Sequence, residues 1–156
     1  MRILAIDPGP LESGWLLCDT APFTILECGV MPNGDLLSGL LGLRFPGCNR
    51  IVIEQVESFG MAVGASVFGT VFWSGRFAQA AVGRGIAFDR LGRKAVKLHL
   101  CGTYRAKDAN IRQSLIDRFG GEVAIGRKVT PGPLYLVRSH AWPALALAVT
   151  WSDQNP

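Results

Sequence analysis

At 156 residues, 49% of them hydrophobic and 18% charged, the chain fits one domain spanning residues 1–156, large enough to bury a core without staples. No apolar run approaches the roughly 18 residues that cross a bilayer, and Met1-Arg2-Ile3 leads straight into a short strand rather than into an apolar signal core, so an intracellular, cytoplasmic protein is expected. The net charge of +4 is unevenly spread: residues 1–75 hold 3 Lys/Arg against 7 Asp/Glu, residues 76–138 hold 13 against 4. Acids gathered early and bases late suit a nucleic-acid enzyme with a metal-holding centre and a phosphate-tracking surface; a merely solvated basic face is the plainer reading. Cys18, Cys28, Cys48 and Cys101 are widely spaced beside apolar neighbours, which reads as core filling in a reducing compartment rather than as a zinc site.

In chain order, residues 3–7, 13–19 and 23–29 read as three antiparallel strands of a meander, with Pro8-Gly9-Pro10 as the first turn. Residues 35–41 suggest a short helix weakened by glycine, and residues 50–54 a fourth strand. Residues 57–64 suit a loop. Residues 66–82 place Val67, Phe68, Val71, Phe72, Phe77 and Ala81 close to helical spacing. A turn is expected over 84–93, and Lys94-Ala95-Val96-Lys97-Leu98-His99-Leu100 alternates like a half-exposed strand. Residues 108–119 form an amphipathic helix stopped by Gly120-Gly121. After a Pro/Gly-rich link over 128–133, residues 139–150 read as a buried helix with Ser139 as its N-cap and Pro143 tolerable in its first turn.

Two of these strands run into carboxylates: Ile3-Leu4-Ala5-Ile6-Asp7, followed by Pro8-Gly9, and Ile51-Val52-Ile53-Glu54, followed by Gln55. A buried strand has little reason to end on an unpaired acid, because burying an unpaired charge is costly. If the strands are neighbours, Asp7 and Glu54 repel unless a cation lies between them, and oxygen donors suit magnesium or manganese. Taken singly, either acid could equally mark a strand end, since Asp-Pro-Gly is a good turn sequence. Asp108, just before an amphipathic run, is both a candidate for the site and a natural N-cap.

Asp7-Pro8-Gly9, Ile53-Glu54-Gln55 and His140-x-x-x-Ala144-Leu145-Ala146 together resemble the RuvC-type Holliday-junction resolvases of the RNase H-like superfamily. The phage-type variants are nearest in flavour, through Val56-Glu57-Ser58-Phe59-Gly60-Met61, Phe72-Trp73-Ser74-Gly75-Arg76-Phe77 and Lys107-Asp108-Ala109-Asn110-Ile111-Arg112. The resemblance spans nearly the whole chain. It implies an α/β, RNase H-like fold: a mixed five-stranded sheet, three strands antiparallel and the rest parallel, flanked by helices. It further implies a Mg²⁺-dependent endodeoxyribonuclease, with Mn²⁺ able to substitute, that resolves four-way or other branched DNA by paired phosphodiester hydrolysis at two metal ions. In that scheme Asp7 bridges the metals, Glu54 binds one, and His140 is the best further ligand, because Pro143 stands where the family commonly carries an acid.

Arg105, Lys107 and Arg112 lie at a helix start, where cations and free backbone N–H groups meet phosphates. Arg76, Arg84, Arg93, Lys94 and Lys97 either extend that basic track or are simply solvated, and Phe59, in a Gly-flanked loop, is either a wedge between unstacked bases or a side chain folded onto the core. The helix over 66–82 is apolar on more than one side, which with the family's two-fold dimers points to a homodimer. Other readings are a branched-DNA-binding protein with degenerate catalysis, an RNA-processing nuclease of the same fold, and the phosphate hairpin of actin-like ATPases, which needs two such domains.

Overall fold

A computed structural model describes residues 1–58, 60 and 62–156. Its centre is a five-stranded sheet in the order β3-β2-β1-β4-β5, built from β1 (Arg2–Asp7), β2 (Glu12–Thr20), β3 (Phe23–Pro32), β4 (Arg50–Gln55) and β5 (Ala87–Gly92). β1, β2 and β3 pair antiparallel, while β4 and β5 join parallel to β1. The mixed five-stranded sheet that the resemblance implies, three strands antiparallel and the rest parallel, is the one observed.

Successive side chains of a strand face opposite ways, and the two cores follow that parity. Leu4, Ile6, Ile51 and Ile53 pack with Leu36 and Leu40 of α1 (Asn33–Leu41) and with Phe77, Ala80 and Ala81 of α2 (Ala65–Gly83). Ile3, Ala5 and Val52 face the other side, against α3 (Arg93–Cys101), α4 (Asp108–Arg118) and α5 (Ala141–Gln154). Asp7 continues the parity of Ile3 and Ala5, and Glu54 that of Val52. The side chains of both acids therefore belong to the α5 side of the sheet.

α5 lies on β1 and β2 with Ala144, Leu145, Ala146, Leu147 and Ala148 fully or almost fully buried, the small residues letting the helix axis come close to the sheet. Pro143 is its third residue, where a backbone N–H would have no helical acceptor anyway. Between α4 and α5, a 3₁₀ turn over Glu122–Ala124 precedes a two-stranded ribbon of β6 (Gly126–Arg127) and β7 (Thr130–Pro131), of which β7 lies within the stretch 128–133 expected to be a link and β6 just before it.

Three local expectations are corrected. Residues 87–92 are the edge strand β5, not part of a turn, and residues 94–100 are helical, not a strand. The alternation of 94–100 also fits a helix burying Val96, with Leu100 one turn on and half-buried, while Leu98 is exposed. Ser139 is not the N-cap of α5; it adopts φ +48°, and His140 takes the cap position with no side-chain hydrogen bond.

Candidate active site

The site forms where β1 and β4 end side by side. Ile6 lies opposite Ile53 in the parallel register, so the next pair along the two strands is Asp7 and Glu54. Their side chains keep only 13% and 16% of their accessible surface. Burial, and then repulsion by Glu54, push the Asp7 carboxyl up to about 7, against the opposing pull of Arg93. Burial likewise raises Glu54, with Arg93 again opposing. Both shifts describe a carboxylate pair whose charge is only partly compensated by the protein.

The loop leaving Asp7 is pinned by a buried polar network. Asn33 Nδ2 donates to the Gly9 carbonyl at 2.9 Å, the Ser13 hydroxyl bonds Asn33 Oδ1 at 2.6 Å, and the Gly9 N–H donates to Ser13 Oγ at 3.2 Å. Ser13 and Asn33 are each 1% exposed. Gly14, directly opposite Asp7 in the β1–β2 ladder, performs a second positioning task. A Cβ there would lie 1.9 Å from the His140 carbonyl oxygen, so glycine is what lets the start of α5 seat against β2 beside Asp7.

His140 thereby comes to Asp7: its Nδ1 lies 3.7 Å from Asp7 Oδ2. That is too long for a hydrogen bond and leaves room for an ion between two donors each roughly 2.1 Å away. Asp108 arrives indirectly. It is the first residue of α4 and makes no side-chain cap there; its Oδ1 accepts from Arg93 Nη2 at 2.7 Å. Arg93 Nη1 reaches both oxygens of Glu54 at 3.2 and 3.3 Å. Arg93 is thus turned inward onto the acids rather than lying on an outer phosphate track.

The donor set is hard and mostly oxygen, and among the described residues no group of three or more His, Cys, Asp or Glu side chains already converges as a metal cage. Carboxylate oxygens such as those of Asp7 and Glu54 are the donor type that Mg²⁺ takes. Mn²⁺ suits the same donors and tolerates imidazole.

Arg112 stacks over Trp142 at 4.8 Å, and both line an open cavity of about 680 Å³ together with Asp108, His140 and Pro143. Arg105 and Lys107 are exposed just before α4, with Arg105 over Tyr104 at 5.9 Å. Arg76 lies over Trp73 at 4.8 Å and Phe72 at 5.7 Å on α2. Arg84 is committed elsewhere, donating to the carbonyls of Leu40 and Gly42. Phe59 lies outside the described residues. A second cavity, of about 320 Å³, runs past Pro8, Glu54, Glu57, Val63, Val67 and Arg93.

The inward role of Arg93, the Gly14 contact and the Ser13–Asn33 network escape a reading of the sequence. The only linear signals for them are a glycine within a strand pattern and a serine and an asparagine near strand ends.

No protein-family model matches the chain, and no curated protein does. Among solved structures, Thermus thermophilus RuvC superposes with a TM-score of 0.69 at 20% identity, covering 96% of this chain and 92% of that one. T. thermophilus RuvC in complex with a Holliday junction substrate superposes with a TM-score of 0.66, again at 20% identity, over 99% of this chain and 96% of that one. The fold is that of RuvC, as the sequence resemblance implied.

Proposed function

We propose that the chain is a divalent-metal-dependent endonuclease that resolves Holliday junctions or related branched DNA by paired nicks. One observation carries the reading: two buried carboxylates, Asp7 and Glu54, end adjacent parallel strands in a fold shared with RuvC, a protein solved with a Holliday junction. Asp7, Glu54 and His140 would hold the metal. When bound, a magnesium or manganese ion supplies Lewis-acid stabilisation of the phosphate and a water nucleophile usable at neutral pH.

The chain's own residues supply the rest. Asp7 and Glu54, fixed by the sheet and by the Gly9–Ser13–Asn33 network, hold their carboxylates in place before substrate arrives, so little reorganisation opposes the reaction. Hydrolysis joins the water oxygen to phosphorus and breaks the bond to the leaving sugar oxygen. The water's proton passes to solvent at the open mouth beside His140, 57% exposed, and solvent returns one to the leaving oxygen. Arg112, beside the site, and Arg105 and Lys107, at the head of α4, bind flanking phosphates as cations.

The exposed apolar face of α2, with Phe68 at 65%, Phe72 at 60% and Val71 at 50% accessible, supports a two-fold homodimer bringing two such sites to one junction. Phe77, which the sequence alone makes part of an all-round apolar helix, instead faces the sheet and is fully buried.

The test is cleavage of a synthetic four-way junction with Mg²⁺ or Mn²⁺. Wild-type protein should nick opposing strands, and Asp7→Asn or Glu54→Gln should lower the rate by about 10²-fold or more while junction binding persists. Pro143, at a place that offers no ligating side chain, favours one second reading: a branched-DNA binder without catalysis. Tight junction binding with no cutting in either metal would select it.

A further inference from the structure

We propose that Trp142, with Arg112 stacked over it, is a stacking subsite for the base of a nucleotide flanking the scissile phosphate, held on the indole while the acid pair acts on the phosphate beside it. This rests on the metal-dependent nuclease reading and deepens it by naming the part of the substrate that the cavity next to the acids takes.

The placement follows from how α5 meets the sheet. Ala141 and Ala144 are fully buried in the core beneath the helix. The residue between them nearest the helix start is turned by about 100° from Ala141, so Trp142 leaves the sheet toward α4 and is only half-buried. There the indole lines a narrow crevice of about 40 Å³ together with Glu54, Arg93 and Asp108. Two residues back, His140 stands 3.7 Å from Asp7. The same ring also lines the open cavity of about 680 Å³, a size that holds a small organic molecule. Trp142 therefore reaches from the acids to solvent.

A ring present only to fill the core would be shut away from the site. Here Arg112 lies over the indole at 4.8 Å from its centre, exposed and with no ion pair among the described residues. Nucleobases stack on indole rings and on guanidinium planes alike. A base can therefore add to this pair, or take the indole face while Arg112 turns to the neighbouring phosphate. The acid on the cavity wall does not oppose this, because Asp108 is paired with Arg93 at 2.7 Å. Asp117, which accepts from Gln113 at 2.8 Å, lies further along α4, away from Asp108. At a branch point bases have already lost stacking partners, so drawing one onto the indole costs less than in a continuous duplex.

The experiment is a double-mutant cycle between the indole and the base. The full chain, wild type and Trp142→Leu, is measured on four-way junctions in which an abasic residue is moved through the nucleotides either side of the crossover in one strand. Equilibrium binding and kcat/KM for cleavage are both read. On the intact junction Trp142→Leu should lose about tenfold in kcat/KM while keeping wild-type Mn²⁺ affinity. At one nucleotide beside the cut, removing the base should cost wild type about tenfold and the leucine variant nothing further. Losses that multiply at every position would mean that Trp142 only packs α5 against α4, and would overturn the proposal, as would a Trp142→Leu that binds and cuts like wild type. Trp142→Phe keeps a smaller stacking face and should retain part of the dependence on that base; if the leucine variant does not fold, multiplying losses in the phenylalanine variant overturn the proposal equally. All these outcomes leave the nuclease reading intact. Wild type that binds junctions without cutting overturns that reading alone, the coupling then being read from binding, and wild type that neither binds nor cuts overturns both.

Discussion

At the scale of single residues, the site is a place where folding and function oppose each other. Asp7 is held up to about 7, first by burial and then by Glu54, from an ordinary value of 3.8. A carboxyl raised in the folded state binds its proton more tightly there than in the unfolded chain. Below the unfolded value both states are protonated and there is no penalty; as pH rises toward 7 the unfolded chain ionises first and stability falls. Metal-free protein should therefore lose stability between about pH 4 and pH 7, on the order of 4 kcal/mol, read as a falling unfolding midpoint. Saturating Mg²⁺ or Mn²⁺ should remove the fall, and Asp7→Asn should flatten it without metal while raising stability at neutral pH. A metal-free midpoint that climbs through this window, or an asparagine variant with the wild-type slope, would show that the pair is not repelling as its geometry requires.

At the scale of elements, the site depends on how closely α5 seats on the sheet, and Gly14 sets that distance. Replacing it with alanine puts a methyl against the His140 carbonyl oxygen, at a distance of 1.9 Å before relaxation, so strand and helix must part. Gly14→Ala should cost about 1–3 kcal/mol and reduce junction cleavage, because His140 moves away from Asp7; an unfolding midpoint and rate equal to wild type would contradict this. Much at this scale is readable without coordinates. The meander, the acid-ended β4, the two long helices α2 and α4 and the buried α5 all follow from apolar periodicity and turn residues. β5 and α3 do not. Ala87-Phe88-Asp89-Arg90-Leu91-Gly92 mixes polar and apolar residues because it is the sheet's edge; there Asp89 takes a hydrogen bond from Trp151 Nε1 at 2.8 Å and an ion pair from Arg50 at 2.9 Å. α3 is only nine residues long, too short for its period to be told from strand alternation. That misreading hides Arg93, since a residue in a surface turn reads as solvated, whereas the first residue of a helix next to β4 faces Glu54.

At the scale of the whole molecule, the two faces of the sheet have different work. The α3–α5 side carries the carboxylates and the cations around them, while α2 on the other side buries Phe77 and Ala81 and turns Phe68, Val71 and Phe72 to solvent. The sequence shows that α2 is too apolar for an ordinary surface helix, but only the fold shows which residues remain uncovered. A four-way junction has two strands to cut at two-fold-related positions, and a single protomer carries one acid pair. A dimer joined through the outer face of α2 would bury each exposed phenylalanine twice, once per protomer, so one substitution acts at two places. Phe72→Glu sets two like charges facing each other across that axis and leaves the interior alone, since Phe72 is 60% exposed. Wild type should sediment as a dimer, whereas the variant should keep a wild-type unfolding transition yet sediment as a monomer at the same concentration, the dimer dissociation constant raised by about 10²-fold or more. On a supercoiled plasmid bearing an extruded cruciform, wild type should give linear product from paired nicks, whereas Phe72→Glu should give mainly nicked circles, because each monomer cuts one strand and leaves before a second arrives. A wild-type chain that sediments as a monomer and still linearises the plasmid would remove α2 from the mechanism and require one active site to cut both strands in turn.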